Sequence, residues 1–295
     1  AVDRVLICKK PIFCCFMGLD KSNEERLIDN RIPNFFDPSR AVKTISAVER
    51  YSRLEFRDSS VLNFEVDKKS ADKFFENVKG KFVGGEGMKL LEYYGINVAP
   101  FGIAQNFEEA LEIAEKIGYP VVLKVISPDI IHKSDIGAIR LNVTRDNLKT
   151  EFFDVLSRVE NLLPNARIEG VMVQKMITGG REVIIGMKRD PYFGNVLMFG
   201  LGGIYVEVFK DVSFKIAPLS KEDAYEMIRK VKSYPLLRGV RGEKGVDIDA
   251  IAETILRFSQ LSMDYPILEM EINPLKAFEY GCVAIDFRML LEVKK

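Results

Sequence analysis

KPIFCCFMG, residues 10–18, is a continuous apolar run closed by a glycine, the pattern of a strand buried on both faces of a parallel sheet. The segments after it cannot complete such a sheet. A charged helical stretch, KSNEERLIDN, leads into RIPNFFDPSRAVKTISAVERY, where Asp37-Pro38-Ser39 opens a second helix with Ala41, Val42, Ile45, Val48 and Tyr51 on one face. Strand, helix, extended piece and helix make half of an α/β unit, and about 55 residues are too few to bury both faces of a sheet. Residues 1–55 are therefore expected to be the tail of an α/β domain that needs something on its N-terminal side.

The mixed, charged residues after Glu55 read as a linker, 56–75, and the texture changes near residue 76. EGMKLLEYYGI (86–96) is a short helix closed by Gly95. NFEEALEIAEKIGYP has Asn106 as N-cap, Glu109 three residues on, an apolar stripe of Phe107, Ala110, Leu111, Ala114 and Ile117, and Gly118 as terminator. A buried strand (120–127), a turn-rich loop and a second strand (139–143) come next. A helix near 146–160 then precedes strands VMVQKMI (171–177), EVIIGMKRD (182–190), NVLMFGLGGIYVEVF and SFKIAP. Helices from about 220 and 248 lead to the closing strands ILEMEINPL and CVAIDFRML. No fixed-period repeat is present, which excludes solenoids.

Charge and composition narrow the partners. Formal charge is zero, 43 basic against 43 acidic residues, so neither a nucleic-acid groove nor an anionic membrane surface is implied. No apolar run approaches the ~18–20 residues that span a bilayer. The N-terminal apolar runs are broken by Lys9, Lys10 and Pro11, unlike a secretory signal. Cys8, Cys14, Cys15 and Cys282 lack metal-ligand spacing, so free thiols in a reducing, cytoplasmic setting are expected.

Four segments carry chemistry. Lys124 lies inside VVLKVI, on the strand face of Val122 and Ile126, where an unpaired ammonium is costly and a phosphate partner would keep it charged. The only histidine, His132, sits in the loop DIIHKSDIGAI beside Lys133 and Gly137, between two strands whose loop amides can fold over phosphate oxygens. FGLGG, with Gly202 and Gly203, lies between strands with no helix after it, so it is no dinucleotide-binding turn and alone reads equally as a hairpin. Glu269, Glu271 and Asn273 share a strand face, and an antiparallel return would bring Asp286 beside Asn273 as a pair of hard oxygen ligands for Mg²⁺. VMVQKMITGGREVIIG could read an adenine edge with main-chain groups, and Glu182 could take a ribose hydroxyl or a metal.

GYPVVLKVISPDIIHKSDIGAI, REVIIGMKRDPYFGNVLMFGLGGIYVEVFKDVSFKIAPL and EMEINPL with AIDFR together resemble the ATP-grasp part of ADP-forming acyl-CoA synthetases (acetate–CoA ligases), in the succinyl-CoA synthetase superfamily. KPIFCCFMG through AVERY resembles the end of that family's CoA-ligase module. The resemblance implies an α/β chain: an ATP-grasp fold, two α+β subdomains clasping a nucleotide, preceded by a partial flavodoxin-like segment. The ATP-grasp domain would cover 76–295, its subdomains about 76–170 and 171–295.

By position, Lys124, Lys133, Gly137, Gln174, Lys175, Met176, Ile177, Glu182, Gly202 and Gly203 would bind nucleotide, with Gln174 to Ile177 as the adenine hinge. Asn273 and Asp286 would carry Mg²⁺, with Glu271 a weaker third. His132 would be the phosphorylatable histidine, although Ala138 stands where the family has a second glycine. The implied ligands are ATP or ADP and Mg²⁺, with CoA for the complete enzyme. The implied partner is a CoA-binding half carrying a first histidine, as a separate subunit or as the N-terminal remainder of a longer chain, in a hetero-oligomer or dimer. Two rivals stand beside this: an ATP-grasp ligase working through acyl phosphate alone with His132 structural, and a nucleotide-sensing regulatory subunit.

Overall fold

The computed structural model describes residues 11–16, 18, 20–52, 60–78, 82–130, 136–203, 210–240 and 242–292. The chain divides into two units, Ala1–Asp58 and Ser59–Lys295. In the first, α1 (Lys21–Asp29) is capped by Asp20, whose carboxylate accepts the Asn23 N–H, and α2 (Pro38–Ser52) comes next. The expected strand at 10–18 is, over its described residues, a single parallel bridge between Cys14 and Asn34. A ladder extends only where a neighbouring segment runs beside it, and here one residue does. Of the apolar stripe on α2 only Ala41 is buried; Val42, Ile45, Val48 and Tyr51 are exposed.

The second unit begins earlier than the linker reading expected. Phe64 exchanges main-chain hydrogen bonds with the Gln260 amide, and α3 (Lys68–Asn77) is already helix. Two sheets organise the rest. Strands β1 (Phe82–Val83), β2 (Phe101–Ala104), β3 (Val121–Ile126), β4 (Ile139–Val143) and β5 (Gly170–Lys175) come first in the chain. Next come β6 (Arg181–Asp190), β7 (Gly194–Leu201), β8 (Val212–Ile216), β9 (Ile267–Ala277), β10 (Cys282–Ala284) and β11 (Phe287–Leu291). The small sheet runs β2-β5-β3-β4; the large one runs β1-β11-β9-β6-β7-β8, with β10 on β9, and every pairing is antiparallel.

This topology corrects the expected subdomain boundary. β5 belongs to the small sheet although it starts at 170, and β1 pairs with β11 in the large one. The helix α4 (Met88–Tyr93) packs into the same core as the large sheet. The small sheet is therefore built from about 100–175 and the large from the segments on both sides of it.

The helices take one face of each sheet. α5 (Phe107–Ile117) and α6 (Leu148–Leu162) bury Ala110, Ala114, Leu148 and Phe152 against Val121, Leu123, Val171 and Val173. α5 obeys its sequence signature: Asn106 caps the Glu109 N–H, and Gly118 ends it with a positive φ of 82°. On the large sheet, α7 (Lys221–Lys230), α8 (Tyr234–Arg238) and α9 (Ile248–Asp264) cover the face of Ile185, Met187, Phe199, Met270 and Ile272. Alternation leaves Gly186, Lys188, Met198, Phe214, Glu271 and Asn273 on the opposite, open face. No helix among the described residues is long and apolar enough to cross a membrane.

α9 is tied to the sheet at its start by Asp247, whose two carboxylate oxygens accept the N–H groups of Ala250 and Gly281. Those main-chain donors, Ala250 first and Gly281 second, hold the carboxyl below its ordinary 3.8. Asp247→Ala should cost about 1–2 kcal/mol in denaturant unfolding at pH 7. Because the folded-state pKa is depressed, the contribution is complete above the ordinary value and is lost as pH falls through the folded one. The wild-type advantage should persist at pH 5 and shrink only below 3.8.

Candidate functional site

The side of the small sheet not taken by helices turns to the large sheet. Met172 and Ile126 join the large sheet's core, and Gln174 and Lys124 continue the same face. Both are buried, at 0% and 5% exposure. The Lys124 ammonium donates to the Ile285 carbonyl at 2.9 Å and lies 3.6 Å from the Asp286 carboxylate. Gln174 Nε2 donates to the same Ile285 carbonyl at 3.1 Å. Two residues of β3 and β5 thus grip the short connection between β10 and β11.

Gln174 Oε1 is buried without a partner among the described residues. A buried amide oxygen left so is costly, and it is an acceptor held ready at the edge of the cleft. Beyond it, Met176 donates its N–H to the Pro120 carbonyl, and Met176 and Ile177 form the half-buried connection from the small sheet to β6. Lys175 turns the other way: its ammonium is bonded to the Gly118 and Tyr119 carbonyls at the end of α5, so only its main chain stays in the hinge.

Asn273 and Asp286 face each other across β9 and β11, the Asn273 N–H donating to the Asp286 carbonyl at 3.1 Å. The register that pairs Phe287 with Ile272 sets them opposite, on the open face. Two oxygen donors suit Mg²⁺, which takes one or two protein ligands and completes its shell with phosphates and water. No group of three His, Cys, Asp or Glu side chains that could hold a metal exists among the described residues, so phosphates would have to supply the remainder. Glu271, the weaker third candidate, has one carboxylate oxygen paired with Arg288 at 2.7 Å.

Glu182, at the start of β6, is half exposed and lies 3.5 Å from the Lys276 ammonium. Gly202 donates its N–H to the Glu182 carbonyl at 2.8 Å, and a Cβ there would stand 3.1 Å from the Glu182 Cβ, so the close approach favours glycine. Gly203 has a φ of 62°. His132 and Lys133 lie outside the described residues. The ends of their loop are held: Asp129 accepts the Arg167 N–H at 2.8 Å, Arg158 Nε donates to the Ile136 carbonyl at 3.0 Å, and Arg140 donates to the Gly137 carbonyl at 2.7 Å.

Lys124 and Gln174 are therefore brought to the Ile285–Asp286 connection, with Asn273 opposite Asp286. Two participants are absent from the residues expected from sequence. The Ile285 carbonyl leaves no side-chain signal. Arg288 did leave one: it lies two residues past Asp286, hence on the same strand face.

A family model for the ATP-grasp domain matches residues 76–291. The ADP-forming acetate–CoA ligase I of Archaeoglobus fulgidus is 54% identical over 96% of this chain, and the chain spans 42% of that protein's length. The beta subunit of ADP-forming acetate–CoA ligase I from Pyrococcus furiosus is 49% identical over 70% of this chain and 90% of the subunit. Acetyl-coenzyme A synthetase 1 of Ca. Korarchaeum cryptofilum, solved with coenzyme A and Ca-AMPCP, superposes with a TM-score of 0.73 at 40% identity, covering 77% of this chain and all of that one. Another state of that enzyme holds Mg-AMPPCP, its phosphohistidine segment pointing towards the nucleotide-binding site.

Lys124 and Asp286 join the two sheets, so their coupling is measurable as stability. A double-mutant cycle of Lys124→Met and Asp286→Asn in denaturant unfolding should give a coupling of about 1–3 kcal/mol. Additive effects would mean that the pair does not tie the sheets.

Proposed function

The chain belongs to the ATP-grasp family of ADP-forming acyl-CoA ligases, and we propose that it is the nucleotide-binding, phosphoryl-relaying part of such an enzyme. The complete reaction is organic acid + CoA + ATP ⇌ acyl-CoA + ADP + phosphate, running through acyl phosphate and phosphohistidine. This chain's share is the exchange between nucleotide and His132. The observation that carries the reading is the convergence of Lys124 from the small sheet with Asn273 and Asp286 from the large one.

The adenine lies against Met176 and Ile177, and the ribose near Glu182. Lys124 turns its ammonium from Asp286 to the phosphate oxygens, and Asp286 and Asn273 present their oxygens to the metal. Mg²⁺ held there neutralises charge on the phosphates and keeps them in line. A neutral imidazole, with an ordinary pKa near ~6.5, has a lone pair able to attack the γ-phosphorus. As the N–P bond forms, the bond from that phosphorus to the β,γ-bridging oxygen breaks, ADP leaves with the electron pair, and the second ring nitrogen gives its proton to water. Lys133 offsets charge on the moving phosphoryl group.

CoA and acid bind on a CoA-binding half carrying the first histidine. The partner takes either of two forms: a separate subunit, as the Pyrococcus beta-subunit relative suggests, or the rest of a fused chain, as the longer Archaeoglobus relative suggests. The setting is a reducing cytoplasm, consistent with free thiols at Cys14, Cys15 and Cys282.

Incubated with Mg²⁺ and γ-³²P-ATP, the chain should take up acid-labile, base-stable phosphate, and His132→Ala should take up none. Equal labelling of that variant would refute the relay. Asp286→Ala and Asn273→Ala should each weaken Mg-ADP binding while leaving metal-free ADP binding within about threefold, read by titration calorimetry; the metal-dependent part lost is roughly 1–3 kcal/mol, the worth of a charged hydrogen-bonded contact.

A further inference from the structure

The pairing of Glu271, the weaker expected metal ligand, with Arg288 brings to the site a cation absent from the residues expected from sequence. β11 leads from Ile285, gripped by Lys124 and Gln174, to Asp286 and then to Arg288. Strand alternation puts Asp286 and Arg288 on one face, because Phe287 and Met289 between and beyond them are buried in the core. Arg288 stands one row past the Asn273–Asp286 pair, in a row that continues through Glu271 to Gly186 and Met198. Residues two apart along a strand are separated by about 6.6–6.8 Å.

The guanidinium is held and still open. Its Nε is bonded to the Glu271 carboxylate at 2.7 Å, and its Nη donors have no acceptor among the described residues. The Arg288 side chain is 36% exposed and that of Glu271 19%, so the guanidinium is the more accessible of the pair. Its partner Glu271, though not Arg288 itself, lines a cavity of about 450 Å³ with Gly186, Lys188, Arg189, Met198 and Phe214. Gly186 has no side chain to fill the row. A guanidinium pinned at one edge keeps a planar fork for phosphate oxygens, and one fixed in advance needs no reorganisation when charge develops.

We propose that Arg288, oriented by Glu271, is a catalytic residue that binds the transferring γ-phosphoryl group on the side away from Lys124. This rests on the nucleotide-relay reading above and assigns a new residue to the same site. The two cations then flank the oxygen pair, Lys124 on one side and Arg288 on the other. Glu271 is a positioning residue that acts through Arg288. The step itself is unchanged: the N–P bond to the histidine forms, the bond to the β,γ-bridging oxygen breaks, and Arg288 donates hydrogen bonds to the equatorial phosphoryl oxygens throughout.

The test uses the full chain with Mg-ATP, tracking the single-turnover rate of acid-labile phosphate uptake beside Mg-ADP affinity by calorimetry. Arg288→Gln should slow uptake by about 10²–10³-fold, the usual effect of removing one charge-stabilising donor. Mg-ADP, which lacks the group Arg288 binds, should keep a Kd within about threefold, since only interactions made in the transition state alter the rate alone. Arg288→Lys should recover part of the rate, and Glu271→Gln should lower it less than Arg288→Gln does. A wild-type rate in Arg288→Gln overturns the assignment, as does an equal loss of ADP affinity and rate, the mark of a merely structural residue. A wild-type chain that binds Mg-ADP and takes up no phosphate overturns the relay reading and this assignment with it. Uptake at equal rates in wild type and Arg288→Gln overturns only Arg288.

Discussion

A buried ammonium decides how the two sheets meet. Lys124 sits in a six-residue strand whose every position is buried, and at 5% exposure it cannot reach bulk water. An uncompensated charge there would cost several kcal/mol or force deprotonation. Nothing on its own strand can satisfy it, since its strand neighbours are valine, leucine and isoleucine. Its partners, the Ile285 carbonyl and the Asp286 carboxylate, come from the other sheet, the carbonyl 161 residues further along the chain. Closing against the β10–β11 connection brings the small sheet two of that ammonium's partners. Gln174 repeats the logic one strand over on the same carbonyl.

That closure explains why the open face of the large sheet stays open. Helices α7, α8 and α9 cover one face, and the small sheet meets the large one through Met172 and Ile126 in the core and through the Ile285 connection. The strand rows beyond that connection keep their outward residues uncovered. Gly202 lets its strand end lie against Glu182. A ligand entering at the hinge meets main-chain groups and apolar residues first, then charge, which suits a base followed by phosphates.

Much of this architecture was legible because its signals are local. The cap of α5, the glycine that ends it and the apolar strand runs depend on neighbours within a few residues. The facing of Asn273 and Asp286 was legible for a related reason: alternation and a short turn fix an antiparallel return. The misjudged parts all depend on distant pairing. Whether 170–175 joins the strands before it or after it is settled by hydrogen bonds to β2 and β3, which no pattern in GVMVQK announces. The run at 10–18 has a strand's composition, yet composition cannot supply the neighbour a ladder needs.

Glu271 shows how far a strand's own pattern reaches. Taken along the strand, Glu271 and Asn273 are equivalent oxygen donors on one face, and Mg²⁺ could use either. Taken across the strands, they are not: Asn273 lies opposite another oxygen donor and Glu271 opposite a guanidinium. A carboxylate already engaged by an arginine is a poor ligand for a hard dication, because binding the metal means giving up a charge-assisted pair. On the proposed reading a metal there would have two protein oxygens, and phosphates would complete its shell. Metal and nucleotide would on that reading bind together, with Lys124 and Arg288 as the cations on either side of the oxygen pair.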